Sequence, residues 1–172
     1  MEELERTYLA KELPAAALTS ESKEILDIYI PISIEHPILR IRKSDAKYEM
    51  TKKVPVVEGD ASRQLETTIS LSNEEFGELE KISGKKVRKR RYFYTHEGSN
   101  FEIDVFQDAL AGLVLVDIEF TSVEQKDAFL KPEFCLAEVT QEKFIAGGML
   151  CGKSYADIEG KLQVFGYKKI IQ

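Results

Sequence analysis

The sequence predicts an α+β domain built on an antiparallel sheet of seven or eight strands. Segments in which apolar and charged residues alternate recur along the chain, and a period of two is the pattern of a strand with two different faces. Short turn-forming segments join consecutive strands, which favours antiparallel pairing. A sheet of this many twisted strands tends to curl or close, because closure removes its exposed edges.

Five strands are predicted in the N-terminal part of the chain. They span residues 3–9, 22–34, 38–43, 47–54 and 62–70. Pro31 interrupts the second strand with a bulge or an edge position, because proline has no N–H for pairing. A helix then begins at Ser72, since Ser72 and Glu75 have the spacing of a capping box. Its apolar stripe is Phe76, Leu79 and Ile82, and Gly84 ends it.

The C-terminal part predicts three more strands, over residues 86–95, 101–107 and 113–120. Ser122 and Gln125 again have capping-box spacing and predict a short helix that ends before Pro132. A short extended segment follows, and then a short helix or loop. A final helix begins at Ser154 and buries Ile158, Leu162 and Phe165.

Composition restricts the class of protein. The 172 residues are long enough for one buried core, so a single domain over residues 1–172 is expected. The net charge of −6 provides no general basic surface for duplex nucleic acid, although residues 85–91 (KKVRKRR) are locally basic. The N-terminus lacks the pattern of a signal peptide, and the longest apolar stretch, Ala109–Val116, is too short to cross a membrane. A cytoplasmic protein is therefore expected.

The cysteines and histidines carry little functional signal. Cys135 and Cys151 lack metal-ligand spacing, so both are expected to be reduced structural thiols. His36 and His96 lie beside turn-forming residues and are expected in exposed loops.

The most informative pattern is a pair of like-charged residues flanking one other residue. These pairs are Glu3 and Glu5, Arg40 and Arg42, Glu102 and Asp104, Asp117 and Glu119, and, around Arg90, Lys89 and Arg91. In a strand, both members of a pair point to one face of the sheet. The other face is apolar and is expected to form the packed shell: Leu4, Tyr8, Leu39, Ile41, Phe101, Ile103, Val105, Val116, Ile118 and Phe120.

The charged face has two interpretations. Acids and bases are segregated between strands; carboxylates suit hard divalent cations, whereas guanidinium and ammonium groups suit phosphate oxygens. The face is therefore either a site for a metal-bound polyphosphate or a solvated surface. Periodicity alone leaves both interpretations open.

The order of several short blocks resembles the CYTH domain, the triphosphate tunnel metalloenzymes. The blocks are EELERTYLAKELP, LRIRK, the strand around Lys52, KRRYFY followed by FEIDVF, GLVLVDIEF and AEVTQEKF. Together they cover nearly the whole chain. The resemblance implies an eight-stranded antiparallel β-barrel with flanking helices, in which the charged residues line a tunnel.

The resemblance also implies residue roles. Mg²⁺ or Mn²⁺ would be held by Glu3, Glu5, Glu66, Glu102, Asp104, Asp117 and Glu119. The triphosphate would be bound by Arg40, Arg42, Lys52, Lys89, Arg91 and Lys143. The catalytic residues would be Glu5, Lys52 and Arg91.

Two residues depart from the family pattern. Thr7 stands where the first motif ends in lysine, and a hydroxyl cannot supply that positive charge. Gln64 stands where a further acid is expected. The Thr7 change is compatible with weakened catalysis or an altered substrate preference, and either change is compatible with a binding or scaffold member of the family.

Three functions are consistent with the sequence. The first is a metal-dependent hydrolase of inorganic triphosphate or of a small organic triphosphate such as thiamine triphosphate. The second is a class IV-like adenylate cyclase acting on ATP, and the third is a weakened polyphosphate- or nucleotide-binding module. Hydrolysis is favoured because no base-recognition element is evident. The expected partner is a triphosphate-containing small molecule rather than nucleic acid or a membrane, and the expected state is a monomer or homodimer.

Overall fold

Eight antiparallel strands close into a barrel, as the family resemblance predicts. The computed structural model describes residues 2–171, in which nine strands form one continuous sheet. The strands are β1 (Glu2–Ala10), β2 (Ser22–Ile30), β3 (Leu39–Ser44), β4 (Lys47–Pro55), β5 (Arg63–Leu71), β6 (Lys85–His96), β7 (Ser99–Phe106), β8 (Val114–Phe120) and β9 (Cys135–Glu138). Their order is β5-β4-β3-β2-β6-β7-β8-β1-β9, and an additional β5–β1 pairing closes the barrel.

The barrel closes where β1 changes partner. Along one edge, β1 pairs with β8 from Leu4 to Leu9. Along the other edge, its first residues pair with β5 and its last residues, Tyr8 to Ala10, pair with β9. The N-terminal half of β1 therefore lies in the barrel wall between β5 and β8.

Four α-helices flank the barrel within residues 2–171: α1 (Asn73–Leu79), α2 (Val123–Ala128), α3 (Gly147–Leu150) and α4 (Tyr155–Gln163). The predicted capping box of α1 is complete, because the Ser72 Oγ accepts from the Glu75 N–H at 3.2 Å and the Glu75 carboxylate accepts from the Ser72 N–H at 2.7 Å. At α2, Ser122 accepts from the Gln125 N–H, but the Gln125 side chain accepts from Thr121 instead. No helix in the described chain is long and apolar enough to cross a membrane.

Two predicted elements are shorter in the structure. β2 ends at Ile30 rather than residue 34, because Pro31 has no N–H with which to continue the ladder. α1 ends at Leu79, and Ile82, predicted in its apolar stripe, is 47% exposed.

The apolar strand faces pack outwards under the helices and loops. Tyr8, Phe101 and Val116 are buried on the outside of β1, β7 and β8, in a cluster that Phe134 completes. A smaller cluster forms where Phe76 of α1 packs against β2 and β3. Most of the predicted shell is buried, whereas Leu4 and Leu39 are half-buried.

One end of the barrel interior is apolar. Leu9 and Phe106 lie two residues after an inward-facing polar residue of their strands, and Leu115 lies two residues before Asp117. These three side chains are buried in a cluster with Ile158 and Leu162 of α4. The C-terminal segment therefore packs against this end. The charged lining is confined to the remainder of the interior.

Both cysteines are free and buried, as expected. Burial raises the pKa of the Cys135 thiol to about 12 and that of the Cys151 thiol to about 11. Both side chains therefore remain protonated at neutral pH and serve as packing groups.

Candidate functional site

The inward-facing charged residues enclose a cavity of about 670 Å³. This volume is within the usual range for a small-molecule site. The cavity is lined by acids from β1, β7 and β8 and by bases from β3, β4 and β6. The charged pairs therefore face a common interior rather than the outer surface of the sheet.

All of the predicted site residues except Lys52 line this cavity. They are Glu3, Glu5, Arg40, Arg42, Glu66, Lys89, Arg91, Glu102, Asp104, Asp117, Glu119 and Lys143. Lys143 lies outside the nine strands, in the segment between β9 and α3, and its side chain is exposed.

The predicted position of Lys52 in the tunnel is wrong by one residue. Lys52 is exposed on the outer face of β4, whereas Thr51 and Lys53 line the cavity. A shift of one residue along a strand moves a side chain to the opposite face. Lys53 is therefore the inward-facing lysine of this strand.

Lys53 lies among carboxylates from two other strands. Its Nζ forms an ion pair with Glu3 and lies 3.6 Å from a Glu5 oxygen and 3.3 Å from a Glu66 oxygen. Burial would lower the pKa of Lys53, but the charges of Glu5 and Glu3 outweigh burial and raise it. Lys53 is therefore firmly held as a cation between β1 and β5.

The facing parts of β1 and β8 carry a concentration of acids. We call Glu3, Glu5, Asp117 and Glu119 the acidic wall of the cavity. Glu5 pairs directly with Glu119, and Thr7 pairs with Asp117. Burial, reinforced by Asp117, Glu3 and Glu119, raises the pKa of Glu5 to about 7, although Lys53 opposes the rise. Burial and neighbouring carboxylates also raise the pKa values of Asp117 and Glu119.

Thr7 faces the cavity, as its position two residues after Glu5 predicts. Its hydroxyl donates to Asp117 Oδ1 at 2.7 Å. This hydrogen bond satisfies one oxygen of Asp117, but it adds no positive charge to the acidic wall.

The bases of β3 and β6 form a second wall of the cavity, which we call the basic wall: Arg40, Arg42, Lys89 and Arg91. Buried acids lie beside these bases. Both carboxylate oxygens of Asp104 accept from Arg91 at 2.7 Å, and Lys89 forms an ion pair with the same group. Burial alone would raise the pKa of Asp104, but the charges of Arg91 and Lys89 hold it well below its usual range. Arg91 also pairs with Glu102 and lies 3.7 Å from Asp117, so it links the basic and acidic walls.

Sequence reasoning missed Asp27, the anion beneath the other pair of bases. Its two oxygens accept from Arg42 at 2.6 and 2.7 Å, and Arg40 Nε lies 3.8 Å away. The available signal was a single acid in the apolar run ILDIYI, two residues before the cavity-lining Tyr29. Burial would raise the pKa of Asp27, but the two arginines lower it well below its usual range.

The rim of the cavity is formed partly by α3 and the loop before β3. His36 is half-buried in this rim rather than exposed, and burial together with Lys143 lowers its pKa. A Cβ on Gly148 would lie far inside van der Waals contact of the Pro37 carbonyl oxygen. The close approach of these two segments therefore requires glycine. His96 is also half-buried and stacks on Tyr94.

The chemistry of the acidic wall fits a hard divalent cation. Glu3, Glu5, Asp117 and Glu119 provide the oxygen donors that Mg²⁺ and Mn²⁺ prefer. The raised pKa of Glu5 is the behaviour of a carboxylate crowded by like charges. Within residues 2–171, no three acidic, histidine or cysteine side chains are already arranged as ligands. Metal binding would therefore require some of these carboxylates to reorient.

The CYTH domain model matches residues 1–138, which include all nine strands. The chain belongs to the CYTH domain family. The CYTH match ends before Lys143 and before the C-terminal helices that pack against the apolar end of the barrel.

Similar proteins agree with this assignment to the CYTH family. An inorganic triphosphatase of Nitrosomonas europaea is 34% identical over 145 residues, which cover 83% of this chain and 92% of that protein. The crystal structure of an inorganic triphosphatase superposes with a TM-score of 0.63 and 27% identity, over 87% of this chain and 93% of the other. A putative adenylate cyclase from Bacillus halodurans, 15% identical with a TM-score of 0.52 over 99% and 94% of the two chains, shares the fold.

Proposed function

We propose that this protein is a divalent-metal-dependent triphosphatase that hydrolyses inorganic triphosphate. The observation that carries the proposal is the division of one barrel cavity into an acidic wall on β1 and β8 and a basic wall on β3 and β6. A metal-bound polyanion requires both kinds of group within one site. The relative that is 34% identical bears the name inorganic triphosphatase, which favours this substrate.

The basic wall would bind the phosphates. Arg40, Arg42, Lys89 and Arg91 line the cavity on two strands, and each guanidinium can bind phosphate oxygens with two parallel N–H groups. Arg91 lies closest to the acidic wall, 3.7 Å from Asp117. We assign it to the phosphate whose negative charge grows as the anhydride bond breaks. The exposed Lys143 would contact the end of the substrate at the rim.

The acidic wall would hold Mg²⁺ or Mn²⁺ through Glu3, Glu5, Asp117 and Glu119. When bound, the cation supplies charge neutralisation at the phosphate oxygens and lowers the pKa of bound water. Glu5 is central in this wall, opposite Glu119 and 3.6 Å from Lys53. We therefore retain it as a catalytic residue.

Three acids predicted as metal ligands receive a different role in this proposal. Both oxygens of Asp104 accept hydrogen bonds from Arg91. Glu102 also pairs with Arg91, and Glu66 lies 3.3 Å from Lys53. We assign these three carboxylates to orienting the cationic side chains.

The deciding experiment is a substrate panel. Inorganic triphosphate, thiamine triphosphate and ATP are each incubated with Mg²⁺ or Mn²⁺, and phosphate, pyrophosphate and cyclic AMP are measured. Phosphate release from inorganic triphosphate is the expected result. Cyclic AMP together with pyrophosphate from ATP would establish a cyclase instead.

The second candidate is a binding module with weakened catalysis, and Thr7 favours it. A neutral hydroxyl next to Asp117 leaves the acidic wall without the cation that the family motif carries at this position. Saturable binding of triphosphate with no product from any member of the panel would support this candidate.

A further inference from the structure

Asp27 is a buried acid that contacts two cavity arginines but does not itself line the cavity. Its side chain is about as buried as any in the described chain, with 1% relative exposure of the residue. It accepts two hydrogen bonds, at 2.6 and 2.7 Å, from Nε and Nη2 of Arg42. A guanidinium has five N–H groups, so three remain for a phosphate.

The position of Asp27 in the barrel explains why an anion is needed there. β2 lies between β3, which carries Arg40 and Arg42, and β6, which carries Lys89 and Arg91. Asp27 pairs directly with Arg42 across the β2–β3 ladder. The charges of Arg40 and Lys89 also act on its carboxylate. Three cations that would otherwise repel one another, Arg40, Arg42 and Lys89, are therefore attracted to the buried negative charge of Asp27.

Arg40 provides a second observation. Its Nε is buried and has no hydrogen-bond partner within residues 2–171. The nearest charged acceptor is Asp27 Oδ1, at 3.8 Å. An unsatisfied buried donor is unfavourable, and a small movement of Arg40 towards Asp27 would remove it. Asp27 can therefore orient both arginines when a phosphate binds between them.

We propose that Asp27 is a positioning residue, which holds the Arg42 guanidinium, and Arg40 beside it, in the orientation that grips the triphosphate. This inference rests on the proposed triphosphatase function. It predicts opposite effects on binding and on turnover when the charge is removed. The attraction of triphosphate by the four bases of the basic wall depends weakly on the orientation of their side chains. Stabilisation of the transition state depends on that orientation strongly.

The test uses the Asp27→Asn, Arg42→Gln and double variants of the full chain. Asp27→Asn is expected to lower kcat for inorganic triphosphate by about tenfold or more without raising KM. Calorimetry with triphosphate in the absence of metal is expected to show Kd lowered by about twofold or more. A merely structural role would reduce the active fraction and would not tighten binding.

The double variant tests whether Asp27 acts through Arg42. In the Arg42→Gln background, Asp27→Asn is expected to change kcat by less than about twofold, because the group that Asp27 orients is already absent. Independent, multiplicative losses would overturn the proposal, and so would weaker metal-free binding by Asp27→Asn. If Asp27→Asn alone does not fold, comparison of Arg42→Gln with the double variant still decides.

Asp108→Asn is the matched control. Asp108 is exposed, and its φ of 52° is one that asparagine tolerates; wild-type kcat, KM and Kd are expected. Failure of the proposed function is recognised separately, because it appears as absence of product from the wild-type protein. The metal-free calorimetry would still measure the effect of Asp27 on triphosphate binding in that case.

Discussion

Lys53 Nζ lies 3.6 Å from Glu5 Oε2, although β4 and β1 are not neighbours in the barrel. β5 separates the two strands and contributes Glu66, 3.3 Å from the same nitrogen. The ion-pair cluster thus joins three strands at the seam where the barrel closes. It also brings a cation from β4 to the acids that we propose hold the metal.

Replacing Lys53 with methionine is expected to abolish most triphosphatase activity. The change leaves Glu3, Glu5 and Glu66 without their shared cation and removes a positive charge from the cavity. We expect kcat/KM to fall by about a hundredfold, which corresponds to about 2.7 kcal/mol. Steady-state phosphate release measures this loss.

Lys52→Met is the matched control for Lys53→Met, because Lys52 is the adjacent residue on the outer face. It is expected to retain wild-type kinetics. A larger loss in Lys52→Met than in Lys53→Met would contradict the strand register on which the site is built.

Glu5→Gln is expected to abolish Mg²⁺- or Mn²⁺-dependent phosphate release, because an amide binds a hard cation more weakly than a carboxylate. Titration of the protein with Mn²⁺ should show reduced metal affinity. Glu2→Gln is the control, since Glu2 is exposed on the same strand and pairs with Arg63. Full activity in Glu5→Gln would refute the role of Glu5.

The metal-free protein is expected to lose stability as the pH rises from about 4.5 to about 7. The pKa of Glu5 rises from its ordinary value of 4.5 to about 7 in the folded chain. Between these values, the folded state binds more protons than the unfolded state, so the free energy of unfolding falls with increasing pH. Tm should therefore be lower at pH 8 than at pH 5.5.

The Glu5→Gln variant isolates this contribution. It should show a smaller decrease in Tm over the same interval, since glutamine does not titrate. Asp117 and Glu119, whose pKa values are also raised, account for a remaining decrease of the same sign. An identical decrease in the variant and the wild-type protein would show that Glu5 titrates normally.

Thr7→Lys is expected to raise turnover. The structure directs residue 7 towards Asp117 within the acidic wall, where an ammonium would offset part of the carboxylate crowding. We expect kcat to rise by about tenfold, equivalent to about 1.4 kcal/mol. Thr7→Met controls for side-chain length without charge. Unchanged kinetics in Thr7→Lys would argue against a lost catalytic group at this position.

Gly148→Ala is expected to destabilise the fold by about 1–3 kcal/mol, because the added methyl group must displace the backbone at Pro37. Thermal unfolding measures the effect. Gly160 of α4 is the control, since a Cβ there meets no atom within 4 Å. Gly160→Ala is expected to stabilise the protein by about 0.5–1 kcal/mol. Equal Tm values for the two variants would contradict the close packing at the rim.

The strands and the composition of their faces were predictable from the sequence. Alternation identified β1, β3, β7 and β8 and assigned the acids and bases to one face, because side-chain direction in a strand follows residue number. Ser72 and Glu75 likewise identified the start of α1, since capping is a local interaction. Family resemblance supplied the barrel.

Interactions between distant segments were decided only by the tertiary structure. The two adjacent lysines of β4 have the same local pattern, and only pairing with neighbouring strands turns Lys53 inwards and Lys52 outwards. Asp27 resembles an isolated acid in an apolar strand until β3 brings Arg42 to it. The sequence by itself determined which residues share a face. The closure of the barrel decided which charges meet, because that depends on contacts between residues far apart in the chain.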